Sequence, residues 1–258
     1  MNITQLRNAT MIVEIGGHRI LVDPMLAPMG AIPPLKYATR ARRRNPLVDL
    51  PQGADAQLGT VTQCLITHCQ KGHFDHLDRA GAKWLRKHNI PVFCMRGDAA
   101  FLSAKGLSVT PLEPGRRQGL LNGEVTPVPC VHGTGLVGRF MAHGFGFYLE
   151  FPGEPSVYIA GDTILTNDVR DFILHHQPDV CVIPAGGASF DVGGEIIMGA
   201  DEVAAVARLS TGVIVANHLE ALDHCPVTRE QLRALGERES LGSQLRIPGD
   251  GETLRFPL

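Results

Sequence analysis

The stretch Thr67-His68-Cys69-Gln70-Lys71-Gly72-His73-Phe74-Asp75-His76 decides how this sequence is interpreted. It places three imidazoles and a carboxylate directly after an apolar run at 61–66, which predicts a β-strand. Neutral imidazole binds zinc, iron, nickel or copper, and a carboxylate extends the choice toward manganese. Because strand ends deliver side chains to site-forming loops, we interpret the segment as part of a metal site rather than as a histidine-rich surface loop.

The bulk composition predicts one large domain spanning residues 1–258. The 258 residues are 44% hydrophobic, which is enough for a sizeable core, and the formal charge is −2. Nucleic-acid binding needs a basic face, so this charge disfavours it. We see neither an apolar leader nor a stretch long enough to cross a bilayer, and therefore expect a soluble, cytoplasmic protein without a membrane partner. The oligomeric state stays open.

None of the six cysteines forms a Cys-x-x-Cys pair, so neither a zinc knuckle nor a redox dithiol is indicated. Cys64, Cys94 and Cys181 lie in apolar runs and are expected to be buried. Cys69, between His68 and His73, is either a metal ligand, a reactive thiol or a plain loop residue. We prefer the last interpretation.

The chain opens with strands and then alternates strands with helices, which predicts a layered α/β fold with mixed sheets. A hairpin is expected from Met11 to Asp23 around Gly16-Gly17, followed by an irregular segment at 24–59. Asp98 is expected to be a helix N-cap. The later predicted strands are 61–67, 91–95, 123–131, 144–151, 156–160, 179–183, 212–217 and strand material in 246–256, and the predicted helices are 80–88, 98–105, 167–176, 200–209 and 228–237.

Further ligand-type residues follow the ends of later strands. His132, Asp162 and His218 each come directly or nearly directly after an apolar run, and His224 follows six residues after His218. A single histidine in such a place is usually a hydrogen-bonded surface residue. Because the carboxyl ends of parallel strands meet at one edge of a sheet, their recurrence predicts a shared site.

The order His73-x-Asp75-His76, His132, Gly161-Asp162-Thr163 and His218 resembles the metallo-β-lactamase-fold hydrolase superfamily. Val22-Asp23-Pro24 and the segment 217–225 further resemble the branch that contains L-ascorbate-6-phosphate lactonase. The resemblance implies a four-layer αββα sandwich with mixed sheets and a dinuclear metal site along one edge of the paired sheets.

The resemblance also implies the ligands of two divalent ions, with zinc preferred and manganese or iron as alternatives. Metal one takes His73, His132 and a further imidazole, for which His68 is the candidate. Metal two takes Asp75, His76 and His218, and Asp162 bridges the two ions.

The spacing before His73 departs from the family pattern His-x-His-x-Asp-His, because His68 lies five residues before His73 instead of two. Lys71 occupies the expected ligand position, and a charged ammonium cannot bind a metal. Either extra residues bulge out at Gly72 and keep His68 as the ligand, or metal one is weak or absent. We prefer the bulge because the lead-in Leu-Ile-Thr-His is that of the family.

Mechanistically, a metal-bound hydroxide would attack a carbonyl or phosphoryl centre. Asp75 is expected to orient the nucleophile or carry a proton, and His224 to face the substrate or support a ligand. Asp23 either holds a ligand imidazole in one tautomer or has a structural role.

The expected activity is hydrolysis of a small ester, lactone or phosphorylated molecule. The run Arg40-Ala41-Arg42-Arg43-Arg44 favours an anionic substrate, although a solvated loop face explains it equally simply. Neither a P-loop nor a dinucleotide-binding motif indicates a nucleotide cofactor. The alternatives are a phosphodiesterase of the same fold and a non-catalytic metal- or ligand-binding protein on this scaffold.

Overall fold

Two seven-stranded mixed sheets pack face to face, and helices cover both outer faces. The computed structural model describes residues 1–36, 42–70, 72–134, 138, 144–191 and 193–257. The first sheet has the strand order β14-β1-β2-β3-β4-β5-β6, and the second has the order β13-β12-β11-β10-β9-β8-β7. The strands of the first sheet are β1 (Asn2–Arg7), β2 (Thr10–Ile15), β3 (His18–Val22), β4 (Gln63–Ile66), β5 (Val92–Met95), β6 (Val109–Leu112) and β14 (Thr253–Arg255).

The second sheet and the helices complete the sandwich. The strands of the second sheet are β7 (Gln118–Leu120), β8 (Gly123–Pro129), β9 (Phe145–Glu150), β10 (Val157–Ile159), β11 (Val180–Pro184), β12 (Val213–Asn217) and β13 (Leu245–Arg246). The α-helices are α1 (Ala54–Leu58), α2 (Arg79–Lys87), α3 (Arg96–Ser103), α4 (Asn167–His176), α5 (Ala200–Leu209) and α6 (Arg229–Arg238). The predicted αββα architecture is confirmed.

Three apolar clusters fill the spaces between the layers. The central cluster joins both sheets, for example through Val13 and Leu65 of the first and Phe147 and Val182 of the second. A second cluster packs α4, α5 and α6 onto the second sheet, and a third packs α1 and α2 onto the first. At about 25 cal/mol per Å², burial of this apolar surface is the main force that holds the layers together.

Strand direction places several loops at one edge of the sandwich. In the first sheet β3, β4, β5 and β6 are parallel, and in the second sheet β10, β11, β12 and β13 are parallel. β8 runs in the same direction as β10, because each is antiparallel to β9 between them. The loops that follow β3 and β4 therefore lie at one edge of the first sheet, and those that follow β8, β10 and β12 lie at one edge of the second. The two edges meet, because His76 Nε2 after β4 lies 3.1 Å from Asp162 Oδ2 after β10.

The helices and hairpins follow local sequence signals, with a few differences. The hairpin turns at Gly16 and Gly17, both with positive φ, as the sequence predicts. The Asp98 cap is wrong: α3 begins at Arg96, and the Asp98 carboxylate instead accepts a hydrogen bond from Gln70 Nε2 at 2.6 Å. The short strands β6 and β7 lie at sheet edges and lack a clear apolar alternation, so the sequence did not indicate them.

All six cysteines are buried and unpaired, as the apolar runs around three of them predict. Among the described residues, the longest helices have ten residues, and no helix is long and apolar enough to span a membrane.

Candidate metal centre

Strand ends from both sheets deliver the candidate ligands to the shared edge. His68 follows β4, and His73, Asp75 and His76 lie in the loop between β4 and α2. The second sheet contributes residues after β8, β10 and β12, which are His132, Asp162 and His218. All seven side chains are buried, and they form two adjacent groups of potential donors. The family resemblance implies the same division into two sets.

The first group consists of three histidines, His68, His73 and His132, whose donor atoms lie within 4.8 Å of one another. The ring centroids of His68 and His73 are 4.5 Å apart, and those of His73 and His132 are 5.0 Å apart. His73 Nδ1 lies 2.6 Å from the carbonyl oxygen of Gln70, and His132 Nδ1 lies 2.8 Å from that of Ile196. These carbonyls accept the Nδ1 protons, which leaves each Nε2 lone pair facing the group.

The second group combines two carboxylates and two imidazoles, Asp75, His76, Asp162 and His218. Asp162 Oδ2 lies 3.1 Å from His76 Nε2 and 3.5 Å from His218 Nε2. The same oxygen lies 3.4 Å from His132 Nε2, so Asp162 reaches both groups. Asp75 Oδ2 lies 3.3 Å from His218 Nε2 and 3.5 Å from His76 Nε2.

Asp23 and Thr67 support the imidazoles from behind. Asp23 Oδ2 lies 2.9 Å from His76 Nδ1 and accepts a 2.6 Å hydrogen bond from the Thr67 hydroxyl. Thr67 Oγ1 in turn lies 3.1 Å from His68 Nδ1. Of the two roles that the sequence left open for Asp23, the structure favours contact with a candidate ligand imidazole.

The donor set fits a divalent cation. Nε2 of His68, His73 and His76 is buried and has no hydrogen-bond partner among the residues that the structure describes, although His76 Nε2 lies close to Asp162 outside hydrogen-bond geometry. A buried polar nitrogen without a partner is costly. Metal coordination would satisfy all three atoms at once, and imidazole with carboxylate is a donor set that zinc, manganese and iron accept.

The pKa values of several imidazoles are shifted in opposite directions in the two groups. Burial lowers the pKa of His68, and the neighbouring rings of His76 and His73 lower it further. Burial also lowers the pKa of His132. In the second group, burial opposes the charged imidazoles, but the carboxylates of Asp162 and Asp75 overcome it and raise the pKa of His76. Asp162 and Cys225 likewise outweigh burial and raise that of His218.

The segment between His68 and His73 brings both rings into the first group despite its unusual length. Gly72 has φ of +89°, a conformation that glycine adopts without strain, as the bulge hypothesis requires. Lys71 lies outside the described residues. Gly144 lies against His68, where an added Cβ would approach the His68 Cβ to 3.0 Å, so the second sheet also restricts this ring.

We expect His68→Ala to reduce the metal content from about two ions per chain to about one, because the first group would retain only two imidazoles. Elemental analysis of protein purified without a histidine tag or chelator measures this. His88→Ala, which removes an exposed histidine at the end of α2, is the matched control. Equal metal content in wild type and His68→Ala would show that His68 is not a ligand.

The structure also locates the other predicted residues. His224 is buried near the second group, and its Nδ1 has no hydrogen-bond partner in the described part of the chain. Its ring stacks on that of Phe190, with the ring centroids 5.9 Å apart. Burial lowers the pKa of His224 to about 4, opposed by the charge of Asp75. Cys69 belongs to neither group, and burial raises the pKa of its thiol, which fits the loop-residue interpretation.

Three further residues contact site histidines, and their sequence patterns do not predict this role. Thr67 is one, and Cys225, whose Sγ lies 3.5 Å from His218 Nδ1, is another. The third is Asn8, whose amide lies beside His218. The only sequence signal for Thr67 and Cys225 is that each is adjacent to a candidate site histidine, since Thr67 precedes His68 and Cys225 follows His224.

The fold and the donor groups together define a metal-dependent hydrolase of the metallo-β-lactamase fold. Residues 18–219 match the family model described as the beta-lactamase superfamily domain. The chain is 31% identical to UPF0173 protein YddR of Bacillus subtilis strain 168, over 99% of this chain and 100% of that protein. It is 30% identical to a UPF0173 metal-dependent hydrolase of Koribacter versatilis strain Ellin345, over 72% of each chain. This protein therefore belongs to the UPF0173 metal-dependent hydrolase family.

A solved structure is similar over the full length. The isothiocyanate hydrolase from Delia radicum gut bacteria is 29% identical, with a TM-score of 0.88, and the match covers 100% of this chain and 99% of that one. The relatives carry the broader family name, so the resemblance to the lactonase branch stays a prediction.

Proposed function

We propose that this chain is a dinuclear metal-dependent hydrolase that cleaves a small, mainly apolar electrophile, with isothiocyanates as the first substrate class. The observation that carries the proposal is a pair of adjacent donor groups that share Asp162. The full-length similarity to an isothiocyanate hydrolase supports the choice of substrate. Zinc is the preferred metal, with manganese or iron as alternatives.

His68, His73 and His132 would hold one ion, and Asp75, His76 and His218 the other, with Asp162 between them. When bound, such ions lower the pKa of water and polarise the electrophile. Asp75 contacts both imidazoles of its group through Oδ2, which leaves Oδ1 to accept a proton from the attacking water. Asp23 and Thr67 keep the His76 ring in the orientation that presents Nε2.

The surroundings of His224 suit an apolar substrate. Phe190 stacks on the His224 ring and packs on a buried apolar cluster. That cluster contains Met25, Ala188, Ile196, Ile197, Ala221, Leu222 and Cys225. At neutral pH the His224 ring is neutral, because burial holds its pKa at about 4. A neutral ring beside apolar side chains can orient an uncharged substrate without an unpaired charge.

The reaction balances without any further reactant. The oxygen of one water molecule forms a bond to the central carbon of R–N=C=S, and a water proton passes through Asp75 to the nitrogen. In the resulting thiocarbamic acid, R–NH–C(=S)–OH, the remaining hydroxyl proton moves to the nitrogen, and the carbon–nitrogen bond breaks as its electron pair stays on nitrogen. The products are the amine R–NH₂ and carbonyl sulfide.

The test is turnover of benzyl isothiocyanate by protein loaded with zinc or manganese, measured as release of benzylamine. We expect kcat/KM of roughly 10⁴ M⁻¹s⁻¹ or more, and much lower values for p-nitrophenyl acetate, a γ-lactone and bis-p-nitrophenyl phosphate. Faster cleavage of the ester or lactone would redirect the substrate proposal. Bound metal without cleavage of any of these compounds would favour the non-catalytic alternative.

The arginine run gives no added support for an anionic substrate. Arg42 and Arg43 are exposed, and the exposed Arg44 donates hydrogen bonds to the carbonyl oxygens of Gly30 and Ala31. Arg40 lies outside the described residues. The anionic preference stays a prediction, and unchanged KM values for anionic esters after charge reversal of Arg42 and Arg43 would contradict it.

We expect His224→Gln to lower kcat/KM by roughly 10- to 100-fold, because glutamine cannot reproduce the ring that stacks on Phe190. The metal content should not change, since His224 lies outside both donor groups. His175→Gln, at an exposed histidine of α4, is the matched control. Loss of metal from His224→Gln would instead identify His224 as a ligand.

A further inference from the structure

Asn8 lies at a strained turn that the proposed activity does not explain. It is fully buried between β1 and β2, and its φ is 55°, an uncommon value for a residue other than glycine. Its carbonyl oxygen accepts hydrogen bonds from Gln5 Nε2 at 2.7 Å and from the His218 amide at 3.0 Å. The turn is therefore fixed against the loop that carries His218.

The Asn8 side chain borders the second donor group. Asn8 Nδ2 lies 3.3 Å from His218 Nε2, the nitrogen that also lies 3.3 Å from Asp75 Oδ2 and 3.5 Å from Asp162 Oδ2. Asn8 Oδ1 is buried and has no hydrogen-bond partner among the described residues. This oxygen can only accept, so the NH₂ group is the part of the amide that can bind an atom gaining negative charge.

His218 Nε2 is a poor permanent partner for this amide. An ion held by the second group would occupy the Nε2 lone pair. The Asn8 NH₂ group would then need another acceptor. The heteroatom of a substrate bound at the second group beside Nε2 would supply that acceptor.

We propose that the Asn8 side-chain NH₂ donates a hydrogen bond to the substrate heteroatom that gains negative charge at the second donor group. The inference rests on the proposed function, in that it requires metal in these groups. The second group already has four protein donors without Asn8, so the amide is assigned to the substrate rather than to the metal. A fixed amide donor directed at a developing charge typically contributes on the order of 10²- to 10³-fold to kcat.

The substitution Asn8→Gly tests this assignment with little backbone disturbance. Glycine adopts positive φ freely, so Asn8→Gly removes the amide but keeps the turn. Asn8→Asp keeps the shape of the side chain and replaces the NH₂ donor with a carboxylate oxygen. It is the second test variant, in case the glycine variant does not fold. Asn89→Gly is the matched control, because Asn89 also has positive φ, 51°, but is exposed after α2.

Thiocyanate is the probe, because this small anion binds open metal positions whatever the natural substrate is. On metal-loaded protein we expect its Kd, measured by calorimetry, to rise about 10-fold in Asn8→Gly and more in Asn8→Asp. Asn89→Gly should bind thiocyanate like wild type. The metal content and zinc affinity of Asn8→Gly should match wild type as well.

Three other results would overturn the assignment. Loss of one metal ion from Asn8→Gly would make Asn8 a metal ligand. Unchanged thiocyanate affinity in both Asn8 variants would show that the amide does not face the bound anion. Failure of wild type to bind metal would overturn the proposed function together with this inference. Weakened thiocyanate binding without any isothiocyanate turnover would uphold the inference and reject only the substrate.

Discussion

Asp162→Asn is expected to lower kcat/KM by on the order of 10³-fold or more. Asp162 Oδ2 lies within 3.5 Å of Nε2 of His76, His132 and His218, so one atom links both donor groups. Asparagine preserves the shape but removes the charge that two cations would share. The metal content should fall as well, and steady-state kinetics with elemental analysis measures both effects.

Asp171→Asn is the control for this substitution, because it removes an exposed carboxylate of α4 far from the shared edge. It should leave activity and metal content unchanged. Full activity in Asp162→Asn would contradict the bridging role. Retained activity with only one ion bound would mean that a single centre is sufficient.

The second donor group is expected to bind metal much more tightly as pH rises, whereas the first group should change less. In the metal-free protein, nearby carboxylates raise the pKa of His76 and His218, so a metal ion must displace their protons. For each proton that the ion displaces, the apparent metal-binding constant rises about tenfold per pH unit. Burial lowers the pKa values of His68 and His132, so the first ion displaces fewer protons from these two rings.

Calorimetric zinc titrations in buffers of different ionisation enthalpy count the released protons. We expect about one to two protons for the second group and fewer for the first. Asp23→Asn should reduce the count, because the Asp23 carboxylate helps to raise the pKa of His76. Equal proton release for both ions would contradict the assignment of protonated imidazoles to the second group alone.

The sequence predicts the residues of the site well where strands end. His132, Asp162 and His218 follow apolar runs, and parallel strands bring such ends together, so their convergence follows from local patterns. The resemblance to a known superfamily added the division into two groups. The unusual spacing between His68 and His73 left two possibilities, and only the folded loop, with Gly72 at positive φ, shows His68 beside His73.

The residues behind the ligands were not predictable in the same way. Asn8 and His218 are 210 positions apart, and Asp23 and His76 are 53 positions apart. No periodicity records such contacts, because they depend on how two sheets and their loops pack. The strands β6 and β7 were missed for a related reason, since edge strands need less apolar alternation than central ones.

The partners of the imidazole Nδ1 atoms give the two donor groups unequal tolerance to mutation. His73 and His132 are oriented by the carbonyl oxygens of Gln70 and Ile196, which every residue possesses. His76 and His218 depend instead on the side chains of Asp23 and Cys225. Substitution of Asp23 or Cys225, or oxidation of Cys225, would therefore disturb the ring orientations in the second group. Substitution of Gln70 or Ile196 would leave the carbonyl oxygens that orient His73 and His132 in place.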